Sequence, residues 1–344
     1  MIPALSNQPL WPAFTGPSNV GLQAAKREGG FHESWQLRGG DPQKKKSFAL
    51  DFAIMQSENG FKRTAEVTAI FFGESRVLVK STTSLDTIRS PSLPLILPDC
   101  SFENDATHGL IQNKGHSIEW NLRWVNSTAE GFQRIPEWMR PFHPARTLLD
   151  SISPHLKLSG WIKINGREHK FDEQIGTQSH RFGRRKPTDW IWAHCASFSK
   201  ENGEPTDLIF EGFTGKLPWV GPFTTPRITT LFFRYEGKSY TLSKPIHLFK
   251  TVSKPSLRGW SFTAESGELD FRGEIRAENR DFMAWSEEDT DGSFLHVAYA
   301  PLTELSLLVY RNGKLELAAR SNGSAQLEIA SRERNPYLSA STYP

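Results

Sequence analysis

The feature that most restricts the fold of this chain is a series of short alternating strands joined by tight turns. Three hairpins and one further turn are predicted in the second half, at residues 161–170, 231–240, 309–317 and 321–324. The first and third contain Asn-Gly, the dipeptide that a two-residue type I′ hairpin turn favours. This spacing predicts an up-and-down antiparallel sheet.

The first half shows the same alternation in a less regular form. Apolar and polar residues alternate at residues 47–55, 65–72, 76–81 and 117–125, as in strands with one wet face. Meanders of this length must protect their edge strands, and closing each half into a barrel does so most simply. We therefore predict an all-β fold of two antiparallel β-barrels, or strongly curled sheets, packed together.

The length of 344 residues fits roughly two domains at ~150 residues each. Residues 1–30 read as an irregular lead-in, and prolines interrupt the strand pattern between 131 and 155, where a short helix at 145–152 is also predicted. We place the first β domain at 31–150, with the Pro-rich linker at its end, and the second at 151–344.

Charge and composition restrict the partners and the compartment. The 41 basic and 38 acidic residues nearly cancel, so nucleic acid is not an expected partner. No apolar run approaches the ~18 residues of a transmembrane helix, and the first residues lack the pattern of a secretory signal. With only Cys100 and Cys195, the chain fits a reducing compartment, and we expect a soluble, cytoplasmic protein that at most touches a membrane transiently.

Motifs for nucleotide, serine-hydrolase and zinc-protease chemistry are missing from the sequence. There is no Gly-rich phosphate loop, dinucleotide fingerprint, Gly-x-Ser-x-Gly elbow or His-Glu-x-x-His. His169, His180 and His194 share one stretch but lack the short repeated spacing of a structural metal site. We therefore predict neither a cofactor nor a metal ion.

The stretch most informative about function runs from Phe171 to Phe198. A strand in its second part would place Trp190, Trp192 and His194 on one face and small residues on the other. Flat apolar side chains with polar tips suit the wall of a ligand pocket. Aromatic residues that fill a core produce the same pattern, so both interpretations stay open.

Two side chains of this stretch are candidates for proton transfer. The imidazole of His180 could take or give a proton near pH 7, and Asp172 could act as an acid. A histidine that ties a loop to the backbone explains His180 equally well, and only one of the adjacent acids Asp172 and Glu173 can face a cavity. Gln178 and Phe182 are predicted to contact the substrate together with the face of Trp190.

The same stretch resembles the signature region of the tocopherol cyclase and carotenoid 1,2-hydratase (hydroxyneurosporene synthase) superfamily. The matching positions are 179–183, which read Ser-His-Arg-Phe-Gly, and the Trp-x-Trp strand at 190–198. The likeness is strongest over about 158–198. The resemblance implies two lipocalin-like barrels and chemistry on an isoprenoid or polyketide-like molecule.

The sequence departs from the superfamily at two positions. Ser179 stands where the family usually has an acidic side chain, and Phe182 stands where it has tryptophan. The family's proton donor is therefore not supplied at Ser179, and His180 or Asp172 would have to replace it.

Together these observations predict a protein that binds a hydrophobic small molecule in an apolar cavity. It would promote a cofactor-free hydration, cyclisation or isomerisation by positioning and general acid catalysis. Two alternatives stay open, a non-catalytic lipid or pigment carrier and a structural protein with filled barrels. The oligomeric state is not predicted.

Overall fold

The chain folds into two strongly curled antiparallel β-sheets that pack against each other, which confirms the predicted fold class. A computed structural model describes residues 29–88, 94–126, 131–136, 138–139, 147–219, 223–335 and 342–343. Of the predicted lead-in at 1–30, all but the last two residues lie outside the described part.

The first sheet contains eleven strands. They are β1 (Phe31–Asp41), β2 (Lys46–Gln56), β3 (Arg63–Phe72), β4 (Arg76–Ser84), β5 (Leu95–Ile96), β6 (Cys100–Phe102), β7 (Ala106–Asn113), β8 (His116–Asn126), β9 (Phe132–Gln133), β10 (Leu148–Ile164) and β11 (Arg167–Gly183), with a 3₁₀ turn at Leu85–Thr87. Their order is β4-β3-β2-β1-β11-β10-β8-β7-β6-β5, and β9 pairs with β10. The sheet curls until β7 reaches β4, where the Asn113 side-chain amide donates to the carbonyl of Lys80 at 3.0 Å.

The second sheet contains thirteen strands and one short helix. They are β12 (Asp189–Cys195), β13 (Ser199–Lys200), β14 (Ile209–Lys216), β15 (Ile228–Tyr235), β16 (Lys238–Leu242), helix α1 (Pro245–Lys250), β17 (Thr251–Ser256), β18 (Gly259–Ser266), β19 (Leu269–Arg276), β20 (Met283–Glu288), β21 (Phe294–Arg311), β22 (Lys314–Arg320), β23 (Ala325–Ser331) and β24 (Thr342–Tyr343), with a 3₁₀ turn at Asn279–Asp281. The main path is β16-β15-β14-β12-β23-β21-β19-β18-β17. Off this path, β20 and β22 pair with β21, β13 with β22, and β24 with β20.

The predicted hairpins are confirmed. Strands β10 and β11 join at Asn165-Gly166, and β21 and β22 join at Asn312-Gly313. All four turn residues have positive φ, from 49° to 86°, which is the backbone conformation that makes Asn-Gly favourable at a type I′ turn.

The predicted helix at 145–152 is wrong, because its described part begins strand β10 at Leu148. The three prolines that predict a break in the ladder are Pro136, Pro141 and Pro144, and the last two lie outside the described residues. A fourth, Pro154, lies where the register of β10 against β11 shifts between Ser153 and Leu156. Such an irregularity tolerates a residue that cannot donate to the ladder.

The boundary between the sheets falls between Gly183 and Asp189, later than the predicted domain boundary at 150. Strand β11 pairs with β1 along His32 to Gly39, so the hairpin at 148–183 belongs to the first sheet. The division of the chain into independently folding domains stays a prediction.

Each sheet encloses its own apolar core, and a third apolar cluster joins them. Phe52 and Trp120 are buried inside the first sheet, and Phe233 and Phe271 inside the second. The third cluster combines Ala49, Ile70 and Phe72 of the first sheet with Trp192, Phe213 and Tyr299 of the second. We call the contact between the outer faces of the two sheets the junction. In the described part of the chain, no helix is both long and apolar enough to cross a bilayer.

Candidate functional site

Strand β12 divides its side chains between the junction and the second core, as predicted from the alternation. Trp190 and Trp192 belong to the junction cluster, whereas Ile191 and Cys195 belong to the interior of the second sheet. The two indoles are 3% and 2% exposed. The tryptophan face therefore meets the first sheet instead of an open barrel.

Glu328 is the centre of one buried ionic cluster in the junction. Its carboxylate accepts the Trp190 indole N–H at 2.7 Å and the Arg181 guanidinium at 3.0 Å, and it also pairs with Arg38. The Arg38 guanidinium lies 4.4 Å from the ring centre of Trp192. Burial alone would raise the pKa of Glu328, but Arg38 and Arg181 outweigh it and hold that pKa below its ordinary value.

Glu211 is the centre of a second ionic cluster. One carboxylate oxygen accepts Arg134 Nε at 2.7 Å and the Trp192 indole N–H at 2.8 Å, and the other accepts Ser151 Oγ at 2.6 Å. Burial opposes ionisation here too, yet Arg134 and His194 keep the pKa of Glu211 lowered. Each indole of the Trp-x-Trp strand thus donates to a different buried glutamate.

Two cavities lie in the junction near opposite ends of β1. The larger cavity has a volume of about 330 Å³ and is lined by Asp41, Ser47, His194, Ser321 and Gln326, among others. The smaller cavity has a volume of about 110 Å³. His32 borders the smaller cavity and Gly40 the larger, a separation of roughly 26 Å at ~3.3 Å per strand residue. The Glu328 cluster lies between the two cavities, because Arg38, which pairs with Glu328, lies on β1 between His32 and Gly40.

The predicted wall of tryptophans stays a prediction, because it borders neither of these two cavities. Trp190, Trp192, Gln178 and Phe182 are buried and line neither cavity. His194 does line the larger cavity, and its Nε2 donates to the carbonyl of Pro154 at 2.6 Å. The larger cavity has a mainly polar wall, whereas the wall of the smaller cavity combines charged side chains with apolar ones such as Ala53, Ile54 and Met55.

The smaller cavity holds a group of charged side chains from both sheets. Asp51, Glu66 and Arg181 come from strands of the first sheet. Lys186 comes from the segment between the two sheets, and Glu287 comes from β20 of the second sheet. Lys186 pairs with Glu287 at 2.8 Å. Burial would raise the pKa of Glu287, but Lys186 and Arg181 hold it well below the ordinary value.

Asp51 is a carboxyl group of this cavity whose pKa lies close to neutral pH. Its Oδ2 accepts the Gln36 amide at 2.5 Å, while its buried Oδ1 has no hydrogen-bond partner. Burial, and then the negative charge of Glu287, raise the pKa of Asp51 to about 6. A carboxyl group that titrates near neutral pH is suited to proton transfer.

His32 lies on the same wall and is also unsatisfied. Its side chain is 4% exposed, and neither ring nitrogen has a hydrogen-bond partner among the described residues. Burial lowers the pKa of His32 to about 3, so the ring is neutral at physiological pH. A neutral imidazole offers one donor and one acceptor to a ligand.

The two predicted proton-transfer residues are not brought together. His180 pairs across the ladder with Trp35, whose indole is in the first core, and its Nε2 lies 2.8 Å from Glu33 Oε1. Burial raises the pKa of Glu33, and the hydrogen bond with His180 offsets only part of that rise. Asp172 is exposed and lies eight residues before His180 on β11, roughly 26 Å away at ~3.3 Å per residue.

Sequence reasoning missed Asp51 and His32. The alternation at 47–55 predicts a strand with one wet face, and Asp51 is a lone carboxylate on that face. The signal was therefore present, but only the second sheet, which covers the face, distinguishes it from a surface charge. Among the described residues, no group of three or more His, Cys, Asp or Glu side chains is arranged to hold a metal ion.

Comparisons with known proteins show the fold. No protein-family model matches the chain, and no curated protein matches it in sequence. A candidate AttH from Nitrosomonas europaea has a TM-score of 0.52 at 13% identity, over 97% of this chain and 100% of that one. CghA has a TM-score of 0.54 at 8% identity, over 88% of this chain and 89% of that one. Kievitone hydratase from Nectria haematococca has a TM-score of 0.50 at 12% identity, over 92% of this chain and 91% of that one. At such low identity these likenesses concern architecture alone.

Proposed function

We propose that the protein binds a small organic molecule in the smaller cavity and promotes a cofactor-free proton-transfer reaction there, a hydration, cyclisation or isomerisation. The observation that carries the proposal is Asp51, a junction carboxyl group with an unpaired oxygen at a cavity wall. Charged side chains are seldom buried without a full set of partners unless they serve a function.

Asp51 would act as the general acid and His32 would orient the reacting group. In a hydration, protonated Asp51 donates its proton to a carbon–carbon double bond, water adds to the resulting cation, and the proton that water releases returns to the carboxylate. The pKa of about 6 leaves a fraction of Asp51 protonated near pH 7. His32 is well placed for hydrogen bonding to a carbonyl or hydroxyl group.

The size of the cavity restricts how a substrate can bind. A volume of about 110 Å³ is below the ~300 Å³ at which pockets for whole small ligands begin. The smaller cavity would therefore hold the reacting end of an isoprenoid or polyketide-like molecule. Ala53, Ile54 and Met55 supply its apolar contacts.

The comparisons support this proposal at the level of the fold. One protein of the same architecture is a hydratase, as its name states. The resemblance of 179–183 and 190–198 to the tocopherol cyclase and carotenoid hydratase superfamily points to the same class of reaction. The proposed acid here is on β2 and not in that stretch.

The test is turnover by the wild-type protein and two carboxamide variants. Kievitone and a panel of prenyl compounds are the first probes, with products followed by mass spectrometry. We expect Asp51→Asn to abolish turnover while binding persists. Asp172→Asn makes the same chemical change at an exposed carboxylate outside both cavities and should leave turnover unchanged.

The pH profile gives a second readout. If Asp51 is the acid, kcat/KM falls as the pH rises through about 6. Turnover that survives in Asp51→Asn and keeps the wild-type pH profile rejects the assignment. Binding of every probe without any product favours the carrier alternative, and the absence of binding favours a structural protein.

A further inference from the structure

One edge of the second sheet exposes large apolar side chains. Phe249 is 87% exposed, Ile246 is 56% and Val252 is 55%. Ile246 and Phe249 are three residues apart on α1 and so share one face of the helix, which continues directly into β17. We call residues 244–258 the basic edge, for the charges described next. Within the described part of the chain, β17 pairs with β18 alone and ends the sheet.

The charge of this segment differs from that of the chain as a whole. Residues 237–264 contain no Asp or Glu, but they include five basic residues, Lys238, Lys244, Lys250, Lys254 and Arg258. The whole chain, by contrast, has 41 basic and 38 acidic residues. Lys254 lies two residues after Val252 on β17, so the charge and the apolar side chain point the same way.

Among the described residues, one acid lies within ion-pair distance of the lysines of this segment. Lys250 lies 3.6 Å from Glu265, and both side chains are about half exposed. Glu265 therefore offsets one basic charge of the segment. Glu274, two strands further in, is paired with Arg276. The basic edge therefore combines exposed apolar side chains with a net positive charge.

We propose that the basic edge binds the surface of a membrane that contains anionic lipids. Exposed apolar side chains can enter the interfacial region while the lysines reach phosphate and carboxylate headgroups. The complementarity of charge selects an anionic surface over a neutral one. Pro255 in β17 removes one backbone donor from the free edge, which disfavours strand pairing with a second copy.

An exposed phenylalanine elsewhere provides a matched control. Phe61 is 92% exposed in the turn between β2 and β3. The bases that follow it are paired, Lys62 with Glu288 and Arg63 with Asp86. Phe61 thus has the apolar component of the basic edge without its unbalanced charge.

The experiment is co-sedimentation with vesicles, which requires no turnover and is therefore independent of the proposed reaction. We expect binding to vesicles of equal parts phosphatidylcholine and phosphatidylserine, weakened by salt, and little binding to pure phosphatidylcholine. Lys250→Gln and Lys254→Gln should each weaken binding about fivefold. Phe249→Ser should weaken it about tenfold or more, whereas Phe61→Ser should leave it unchanged.

Several outcomes overturn the proposal. They are no binding to the anionic vesicles, equal binding to both vesicle types, or an equal loss in Phe249→Ser and Phe61→Ser. Thermal unfolding of each variant shows that the substitution leaves the fold intact. If Phe249→Ser instead abolishes a dimer seen by ultracentrifugation without vesicles, the edge is an interface between two copies.

Discussion

The interiors of the two sheets and the junction between them are equally buried but are held together differently. The interiors contain stacked and packed apolar side chains, such as Phe233 against Phe271 with ring centres 3.9 Å apart. The junction adds carboxylates and guanidinium groups around Glu211 and Glu328. Packed apolar groups stabilise a fold without fixing one partner, whereas a buried charge is tolerated only opposite its own counter-charge. The ionic clusters therefore restrict the ways in which the two sheets can dock.

The largest expected effect is at the centre of the junction. Glu328→Gln keeps the shape of the side chain but leaves Arg38 and Arg181 without their counter-charge. We expect the free energy of unfolding at pH 7 to fall by roughly 3–5 kcal/mol, measured by urea denaturation. A loss below about 1 kcal/mol would mean that water already solvates these guanidinium groups.

A deletion in the interior should be slightly less severe and independent of pH. Leu307→Ala removes a fully buried side chain from the second core, and we expect a loss of about 3 kcal/mol. The lowered pKa of Glu328 stabilises the fold above its unfolded pKa, and this contribution is lost as the pH falls through the folded value. The difference between wild type and Glu328→Gln should therefore shrink below about pH 4, while that of Leu307→Ala persists.

The pH dependence of stability should have the opposite direction for Asp51, which also lies in the junction. Its pKa is raised to about 6, so its contribution is fully present below the unfolded pKa and is lost as the pH rises through 6. We expect Asp51→Asn to be more stable than wild type by roughly 1–3 kcal/mol at pH 8, and equal to it near pH 4. Destabilisation at pH 8 would show that the carboxylate has partners when ionised.

The smallest effect is expected at the rim of the junction. Lys62 pairs with Glu288 across the two sheets, but both side chains are partly exposed, at 45% and 25%. We expect Lys62→Ala to change the free energy of unfolding by less than about 1 kcal/mol. In high salt, the difference between the variant and wild type should disappear. A loss as large as that of Glu328→Gln would remove the distinction between centre and rim.

The fold was predictable because its signals are local. Alternation at 47–55 and 65–72 and the Asn-Gly turns at 165–166 and 312–313 each indicate an element within a few residues. The division of β12 into two faces followed from the same rule. The helix predicted at 145–152 was wrong because so short a run of residues does not distinguish a helix from a strand.

The candidate site was not predictable because its contacts are distant in sequence. Arg38 and Glu328 are 290 positions apart, and no local pattern connects them. The face on which Asp51 and His32 lie looks like a solvated surface until the second sheet covers it. The face of Trp190 and Trp192 looks like a pocket wall for the same reason, since periodicity identifies a face but not what it contacts.

The pairing of β1 with β11 has a consequence for folding during synthesis. The strand that begins at Phe31 cannot gain its second neighbour until Gly183 has left the ribosome, after more than half of the chain is made. Until then β1 has one free edge, a site where newly made chains can pair wrongly. We therefore expect nascent chains shorter than this to depend on chaperones, and release of the β10–β11 hairpin to mark the point at which the first sheet becomes resistant to proteases.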